Sequence, residues 1–299
     1  MALDAQGKLA VVTVILYVPF LFLTGLLLRK YGVQRAWLLL LMFSIIRTVG
    51  GILLIAAETV QPTVIGLFIG GYALEASGLS PLLLGTLGFL TIASEHAFDG
   101  IKRVFNLLHL VGIGALVLTI IGIANATSSS SSSQSSANTM RRAGVLLFAA
   151  LYIILIAVTL YFWSRANQLM KSRKSLLGAI TFALPFLGVR TLYSVLSTFS
   201  SSSFGMLSSS TSTQTQSVNT SDLAKFNMFT GEWWIYLVMS ILMETTNWAI
   251  CATMSILCTA NNHISSWARR FLLFIFAVTI LSFVRNCTQP RTGDIRLAY

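Results

Sequence analysis

Four ionisable residues stand inside long apolar stretches of this sequence, where a charge is costly. They are Arg47, Glu75, Arg190 and Glu244. An arginine at the centre of a membrane span costs about 2.5–3.5 kcal/mol on insertion scales, so each charge needs an opposite charge or a polar cavity. The four lie at similar depths in their segments, and their signs balance. We therefore predict that Arg190 pairs with Glu244. The other two charges would form a second pair.

Polar residues at helical spacing accompany two of these charges. Residues three or four apart lie on one helix face, and Arg190 and Glu244 each have such polar neighbours. The functional interpretation is a polar intramembrane site for a ligand, an ion or a proton. Its candidate residues are Arg47, Glu75, Arg190, Tyr193, Glu244 and Asn247. The structural alternative is a set of ion pairs that lock a helix bundle, since pairing alone would satisfy every charge.

Other chemistry is faint in this sequence. The three histidines lie far apart and lack metal-ligand spacing, and His109 reads as a packed helix residue. A polar cluster of Glu95, His96 and Asp99 is better interpreted as a solvated loop than as a cation site. Phosphate-binding, nucleophile-elbow and zinc-protease motifs are absent from the sequence. We expect a protein that is not an enzyme and that binds neither a metal nor a cofactor.

The composition is that of a membrane protein. Of the 299 residues, 55% are hydrophobic and 10% are charged, whereas about 25% of the residues of a soluble domain are charged. The net charge of +11 does not indicate a nucleic-acid partner. The basic residues lie in short loops beside apolar segments, where they set topology and meet anionic lipid. The partner that the composition predicts is therefore the lipid bilayer.

Seven apolar segments are long enough for a hydrocarbon core of about 30 Å. They span residues 9–28, 36–57, 63–93, 107–124, 143–163, 176–199 and 232–257. We interpret the long third segment as one kinked helix rather than as a helix with a re-entrant piece. The aromatic residues at the start of the seventh segment, Tyr236 among them, are expected at the headgroup level. A further apolar stretch, 271–284, is either an eighth crossing or an interfacial helix.

These segments predict an all-α, polytopic membrane helix bundle. It would have seven transmembrane helices plus a short C-terminal apolar helix. Residues 1–257 would form the seven-helix membrane domain. Residues 258–299 would form the short apolar helix and a polar tail.

The distribution of charge predicts the orientation in the membrane. One set of alternate loops carries Arg29, Lys30, Arg35, Lys102, Arg103, Arg165, Lys171, Arg173, Lys174, Arg269 and Arg270. The other side carries only Lys8, Arg141, Arg142 and Lys225. Because positive loops stay cytoplasmic, the N-terminus should lie outside. Two Ser/Thr-rich stretches then also lie outside, and the first, 127–136, should be disordered.

The outer stretches carry glycosylation sequons, at Asn125 and Asn219. We expect both asparagines to be glycosylated. The protein should reside in the plasma membrane or an endomembrane. The basic loop 164–175 would be the place where a cytoplasmic partner binds.

Four motifs lie in the predicted helices: Ile46-Arg47-Thr-Val-Gly50-Gly51, Gly78-Leu-Ser-Pro-Leu82, Leu184-Pro-Phe-Leu-Gly-Val-Arg190-Thr-Leu-Tyr193-Ser and Met243-Glu244. Together they resemble the motifs of a fungal seven-helix membrane protein family of unknown function. The resemblance covers about residues 9–257, and the tail beyond Cys258 departs from it. It implies a fungal membrane protein and implies no activity.

Two functional classes follow from the predicted architecture. Seven spans with an outer N-terminus look like a heptahelical receptor, although the Asp-Arg-Tyr and Asn-Pro-x-x-Tyr marks of such receptors are missing. A receptor-like or signalling protein with a polar intramembrane site is the first class. The second is a transporter or lipid-translocating protein, as in the fungal lipid-translocating exporter family. Either class would bind a small molecule or a lipid.

Overall fold

The computed structural model describes residues 5–31, 35–60, 65–94, 102–125, 131–165, 171–200 and 233–259, and every regular element within these ranges is helical. The elements are α1 (Ala5–Tyr31), α2 (Arg35–Thr59), α3 (Ile65–Ser77), α4 (Leu79–Ser94), α5 (Lys102–Asn125), α6 (Ser131–Ser164), α7 (Lys171–Ser200), α8 (Trp233–Tyr236), a π-helical segment (Leu237–Leu242) and α9 (Met243–Thr259). The last three elements follow one another without a break. The all-α class is therefore confirmed for the described residues.

Among the described residues, six segments are long and apolar enough to cross a membrane. They are Gly7–Arg29, Trp37–Thr59, Gly66–Ala93, Arg103–Asn125, Ser136–Ser164 and Arg173–Phe199. The apolar part of the last helix, Leu237–Ala252, is shorter than these six. An integral membrane protein follows from the six spans, whereas the seven-span count is not confirmed. The stretch 271–284 lies outside the described residues, and so does the proposed second domain, 258–299, apart from its first two residues. Both stay predictions.

The surface of the bundle is apolar, as a bilayer requires. Large apolar side chains such as Phe22, Leu110 and Ile153 are exposed. The span Gly66–Ala93 is the most enclosed of the six. Of its apolar stretch of 18 residues, 83% are buried, against 33% for the span Arg103–Asn125. Residues 77–90 are buried without interruption, so α4 forms the centre around which the other helices pack.

The third span is broken at Gly78. This residue forms a turn between α3 and α4, and its N–H donates to the Glu75 carbonyl at 3.4 Å. Pro81 lies in the first turn of α4, where its missing N–H removes no helical hydrogen bond. A Cβ atom on Gly78 would lie 3.0 Å from Nε of Arg47. The predicted kink is present, and the glycine leaves room there for a buried guanidinium.

Helix α6 begins earlier than the sequence indicated. We predicted disorder for 127–136 and a helix from 143, but α6 starts at Ser131. Residues 127–130 lie outside the described residues. Upstream of residue 143 the helix packs closely against α5: a Cβ on Gly122 would lie 2.8 Å from the Arg141 nitrogen and 3.0 Å from the Ala137 carbonyl oxygen. Such tertiary contact stabilises helix in a segment that local propensity does not favour.

Helix α7 contains Pro185 in its interior. Proline lacks the N–H that would bond to the carbonyl four residues earlier, so the helix is weakened there. A neighbouring helix stabilises α7 at this point, because the hydroxyl of Tyr152 in α6 donates to the Leu184 carbonyl at 3.1 Å. Arg190 lies just beyond the proline, on the part of α7 that packs against α9.

Candidate functional site

The four buried charges form one connected cluster. Nη1 of Arg47 lies 3.0 Å from Oε1 of Glu75, and the Arg190 guanidinium pairs with Glu244. Both ion pairs predicted from the sequence are therefore present. Arg47 also pairs with Glu244, which joins the two pairs into a single chain of alternating charge. All four residues are at most 7% exposed.

Hydroxyl groups add hydrogen bonds to this cluster, although Nε of Arg47 has no partner among the described residues. Tyr17 donates to Oε2 of Glu244 at 3.4 Å, and Tyr236 donates to Oε1 of Glu75. Arg47 donates to the Tyr236 hydroxyl at 3.3 Å and to Oγ of Ser240 at 3.4 Å. Buried charges need such additional hydrogen bonds, because Coulomb attraction alone does not repay their desolvation.

Three residues of the last helix reach the cluster together. Tyr236, Ser240 and Glu244 are each four residues apart, so they share a face, and all three contact Arg47. The π-helical segment Leu237–Leu242 lies within this stretch, and π-helical turns inside α-helices are frequent at functional sites. Our expectation that Tyr236 lies at the headgroup level is wrong, because its hydroxyl finds a buried partner in the charge cluster.

Sequence reasoning missed Tyr17 as well as Tyr236. Tyr17 is fully buried in α1 and packs edge to face against Phe20 and Phe43. A tyrosine in the middle of an apolar span is a weak signal of an inward hydroxyl.

The polar stripe of α7 faces inward as expected. Nη1 of Arg190 donates to Oγ of Ser194 at 3.3 Å, and its Cζ lies 5.6 Å from the centroid of the Tyr193 ring. Tyr193 in turn lies 6.0 Å from the ring of Tyr236. Tyr193 therefore joins the cluster through its ring.

Asn247 is buried but stands apart from the charges. Its side chain is enclosed, and its Oδ1 faces the Cys251 thiol at 4.0 Å. Among the described residues, its Nδ2 has no hydrogen-bond partner. The structure thus brings together five of the six predicted site residues and leaves Asn247 outside the cluster.

A cavity of about 40 Å³ adjoins the cluster, which is room enough for water. Residues of the third span and of α5, α6 and α7 line it: Tyr72, Ala76, Leu79, Thr119, Ile123, Arg141, Val145, Phe148, Arg190, Tyr193, Ser194, Ser197 and Thr198. Arg190 therefore belongs both to the cavity wall and to the charge cluster.

Arg141 is placed differently from our prediction. We assigned it to an outer loop, but it lies in α6, is only 9% exposed and lines the cavity. Its neighbour Arg142 is exposed, with its Cζ 5.5 Å from the centroid of the Phe199 ring. The early start of α6 explains the difference, because it turns one of the two arginines inward.

The remaining predicted features are only partly described. Asn125 is exposed and is the last residue of α5, whereas Asn219 lies outside the described residues.

Within the described ranges, no three or more His, Cys, Asp or Glu side chains are grouped as a metal site would require. His109 packs on its own helix, with Nδ1 2.9 Å from the Phe105 carbonyl oxygen.

Comparison with known proteins places these features in a family. A model described as a domain of unknown function, DUF7702, matches residues 3–218. The chain belongs to the DUF7702 family. The DUF7702 match includes α1–α7 with Arg47, Glu75 and Arg190, and it ends before the helix that carries Glu244. No curated protein and no solved structure matched the chain. The predicted membership of a family of unknown function is thus confirmed over residues 3–218, whereas its fungal origin and its extension to the Met243-Glu244 motif are not.

Proposed function

We propose that this protein is a receptor-like membrane protein that senses a small ligand in the cavity through Arg190. The observation that supports the proposal is that Arg190 belongs both to the charge cluster and to the cavity wall. One part of its guanidinium pairs with Glu244 in the cluster, while Nη1 reaches Ser194 on the cavity wall. A ligand that attracts this guanidinium competes directly with Glu244.

That competition would affect more than one helix. Glu244 holds both Arg190 of α7 and Arg47 of α2, so a weaker Arg190 pair leaves Glu244 with Arg47 and the Tyr17 hydroxyl. A ligand shifts a conformational equilibrium only by its differential affinity for the two states. Here the differential contact would be the Arg190–Glu244 pair, and the responding elements would be α7 and the last helix.

The architecture that we propose has seven spans and an outer N-terminus. Helix α9 follows α8 and the π-helical segment without a break, and Glu244 meets two arginines near the middle of their own spans. The last helix therefore reaches mid-depth, which supports a seventh crossing. The loop charges support an outer N-terminus and a cytoplasmic loop 164–175 as the place of a partner. A fungal plasma membrane or endomembrane is the location that we infer.

Native mass spectrometry of the purified full chain tests whether a ligand is bound. We expect a retained small molecule or lipid in the wild type and its loss in Tyr193→Ala, which shortens the cavity wall. Arg142→Gln, on the exposed face of α6, is the matched control and should retain the ligand. Ligand-dependent capture of a cytoplasmic protein by loop 164–175 would support the receptor class.

A transporter or lipid-translocating protein is the second candidate. Transporter sites are often formed by interrupted helices at mid-membrane. Two interruptions meet the cluster here, the turn at Gly78 and the π-helical segment Leu237–Leu242. Flux of the retained molecule across proteoliposomes, abolished by Glu244→Gln, would favour this class over a receptor.

A further inference from the structure

Two exposed arginines lie at the same end of the bundle, on neighbouring helices. Arg103 is in the first turn of α5, and Arg165 directly follows the last residue of α6. The two helices pack against each other at this end, where the ring centroids of Phe105 and Phe162 lie 6.2 Å apart. Neither guanidinium has an ion pair or a hydrogen bond among the described residues, so both can bind a partner outside the protein.

Arg173, at the same end, has a different role. It is half-buried, and its Nη1 donates to the Ile92 carbonyl oxygen at 3.3 Å. Ile92 lies in the last turn of α4, where the carbonyl groups lack partners within the helix, so Arg173 caps α4 from α7. The fold therefore uses Arg173 to join two helices, whereas it leaves Arg103 and Arg165 exposed.

Exposed apolar surface adjoins each of the two exposed arginines. Residues four and seven positions apart share a helix face, and Leu107 and Leu110, at these distances from Arg103, are both exposed. Tyr161, one helical turn before Arg165, is exposed as well, and its ring is apolar with a polar tip. A molecule with a charged head and apolar chains would contact the arginines and these helix faces at the same time.

The segments next to this site are basic. The stretches 94–103 and 163–175 carry six lysines and arginines against two acidic residues, Glu95 and Asp99. Both acidic residues lie between α4 and α5, outside the described part of the chain. Basic residues at the membrane surface attract anionic lipid, and each strengthens the binding about fivefold. An anionic phospholipid thus complements this end of the bundle in charge and in its apolar chains.

We propose that the adjoining ends of α5 and α6 bind one anionic phospholipid of the bilayer. Arg103 and Arg165 would hold its phosphate, because the planar fork of arginine matches a phosphate group, and the exposed faces of the two helices would contact its chains. This site does not depend on the proposed function. The cavity lies toward the other end of α5 and α6, where Thr119 and Val145 line it.

Native mass spectrometry of the full chain in neutral detergent tests the proposal. The probes are phosphatidylglycerol, phosphatidylcholine with the same chains, and glycerol phosphate as an anion without chains. We expect saturable binding of one phosphatidylglycerol, about 25-fold tighter than phosphatidylcholine, at about fivefold for each arginine. Equal binding of the two lipids would overturn the proposal. So would glycerol phosphate that binds as tightly as phosphatidylglycerol, because the helix faces would then contribute nothing.

Single arginine variants locate the lipid. Arg103→Gln and Arg165→Gln should each weaken phosphatidylglycerol binding about fivefold. Arg142→Gln is the matched control, since it removes an exposed arginine near the opposite end of α6, and it should leave the binding unchanged. Arg103→Lys and Arg165→Lys keep the charge without the fork, and they replace a glutamine variant that does not fold, with an expected loss of less than fivefold. Equal losses in all three glutamine variants, or no loss with Arg103 and Arg165 both changed, would contradict a site at these two arginines.

A cavity variant separates this site from the proposed function. Tyr193→Ala should release the cavity ligand and leave phosphatidylglycerol binding unchanged. Loss of phosphatidylglycerol in Tyr193→Ala would place the lipid in the cavity and overturn a site at Arg103 and Arg165. A wild type that retains a cavity ligand but does not prefer phosphatidylglycerol would overturn this site and keep the proposed function.

Discussion

Glu244 and Arg190 pair where α7 and α9 pack together inside the bundle. Glu244 is completely buried and Arg190 is 2% exposed, so both charges are removed from bulk solvent. The same carboxylate also pairs with Arg47, which extends the interaction to α2. The two partners are therefore not equivalent, because loss of Glu244 affects two arginines and loss of Arg190 affects one carboxylate.

The first prediction concerns the stability of this pair. Glu244→Leu should reduce the free energy of unfolding by about 3–5 kcal/mol, because it leaves Arg190 buried without a carboxylate partner. Arg190→Leu should also reduce it, but by less, because Glu244 keeps its pair with Arg47. The double variant should lose less than the two single losses added together, which is the sign of coupling. Unfolding in detergent followed by circular dichroism measures all three.

Arg142→Leu is the control for this series, since it removes an exposed arginine from a neighbouring helix and should change stability little. Strictly additive losses at Arg190 and Glu244 would contradict the pairing. They would indicate that each charge is solvated separately.

The charge cluster was the most predictable part of the site. A charge in an apolar span is so costly that its position alone indicates an inward face and a partner, which is why Arg47, Glu75, Arg190 and Glu244 stood out. Tyr236 did not stand out, because a tyrosine is found both at the headgroup level and in buried positions where its hydroxyl has a hydrogen-bond partner.

Arg141 could not be placed from the sequence for a different reason. Two adjacent arginines directly before an apolar segment are typical of a loop, and the alternation of the loops assigned this one to the outer side. In the structure this part of the chain is helical and packs closely on Gly122 of α5, and Arg141 faces inward there. The number of spans could not be fixed from the sequence either. The segment 232–257 is long enough for a span, whereas the apolar part of the helix in the structure, Leu237–Ala252, is shorter.

The second prediction tests the contact that places Arg141. Gly122→Ala should destabilise the protein by about 1–3 kcal/mol, because the new methyl group would meet backbone atoms of α6 that cannot move independently. Gly114→Ala is the matched control on the same helix, with open space around the added Cβ, and should be neutral or slightly stabilising. Equal Tm values for the two variants would show that α5 and α6 are not in close contact.

The third prediction concerns the outer face. Asn125 and Asn219 should both be glycosylated when the protein passes through a eukaryotic secretory pathway. We expect Asn219 to be modified more fully, because Asn125 is the last residue of a candidate span and lies close to the bilayer. Glycosidase treatment of the wild type and of each Asn→Gln variant should shift the mobility on a gel. An epitope tag in 164–175 that is accessible on intact cells would instead show an inverted topology.

The last prediction decides whether the helix from Trp233 to Thr259 crosses the membrane. Glu244 pairs with Arg190 and Arg47, which lie well inside their spans, so the helix must at least reach mid-depth. A helix that entered and returned on the same side would need a turn beyond Glu244, but α9 continues unbroken to Thr259. A reporter fused after residue 225 should therefore lie outside, and one fused after residue 260 should lie in the cytoplasm. The fusion after residue 165 is the control, since the loop charges place it in the cytoplasm in either case. Reporters on the same side after residues 225 and 260 would limit the bundle to six spans. The Glu244 helix would then enter the membrane from the outer face without leaving it on the other side.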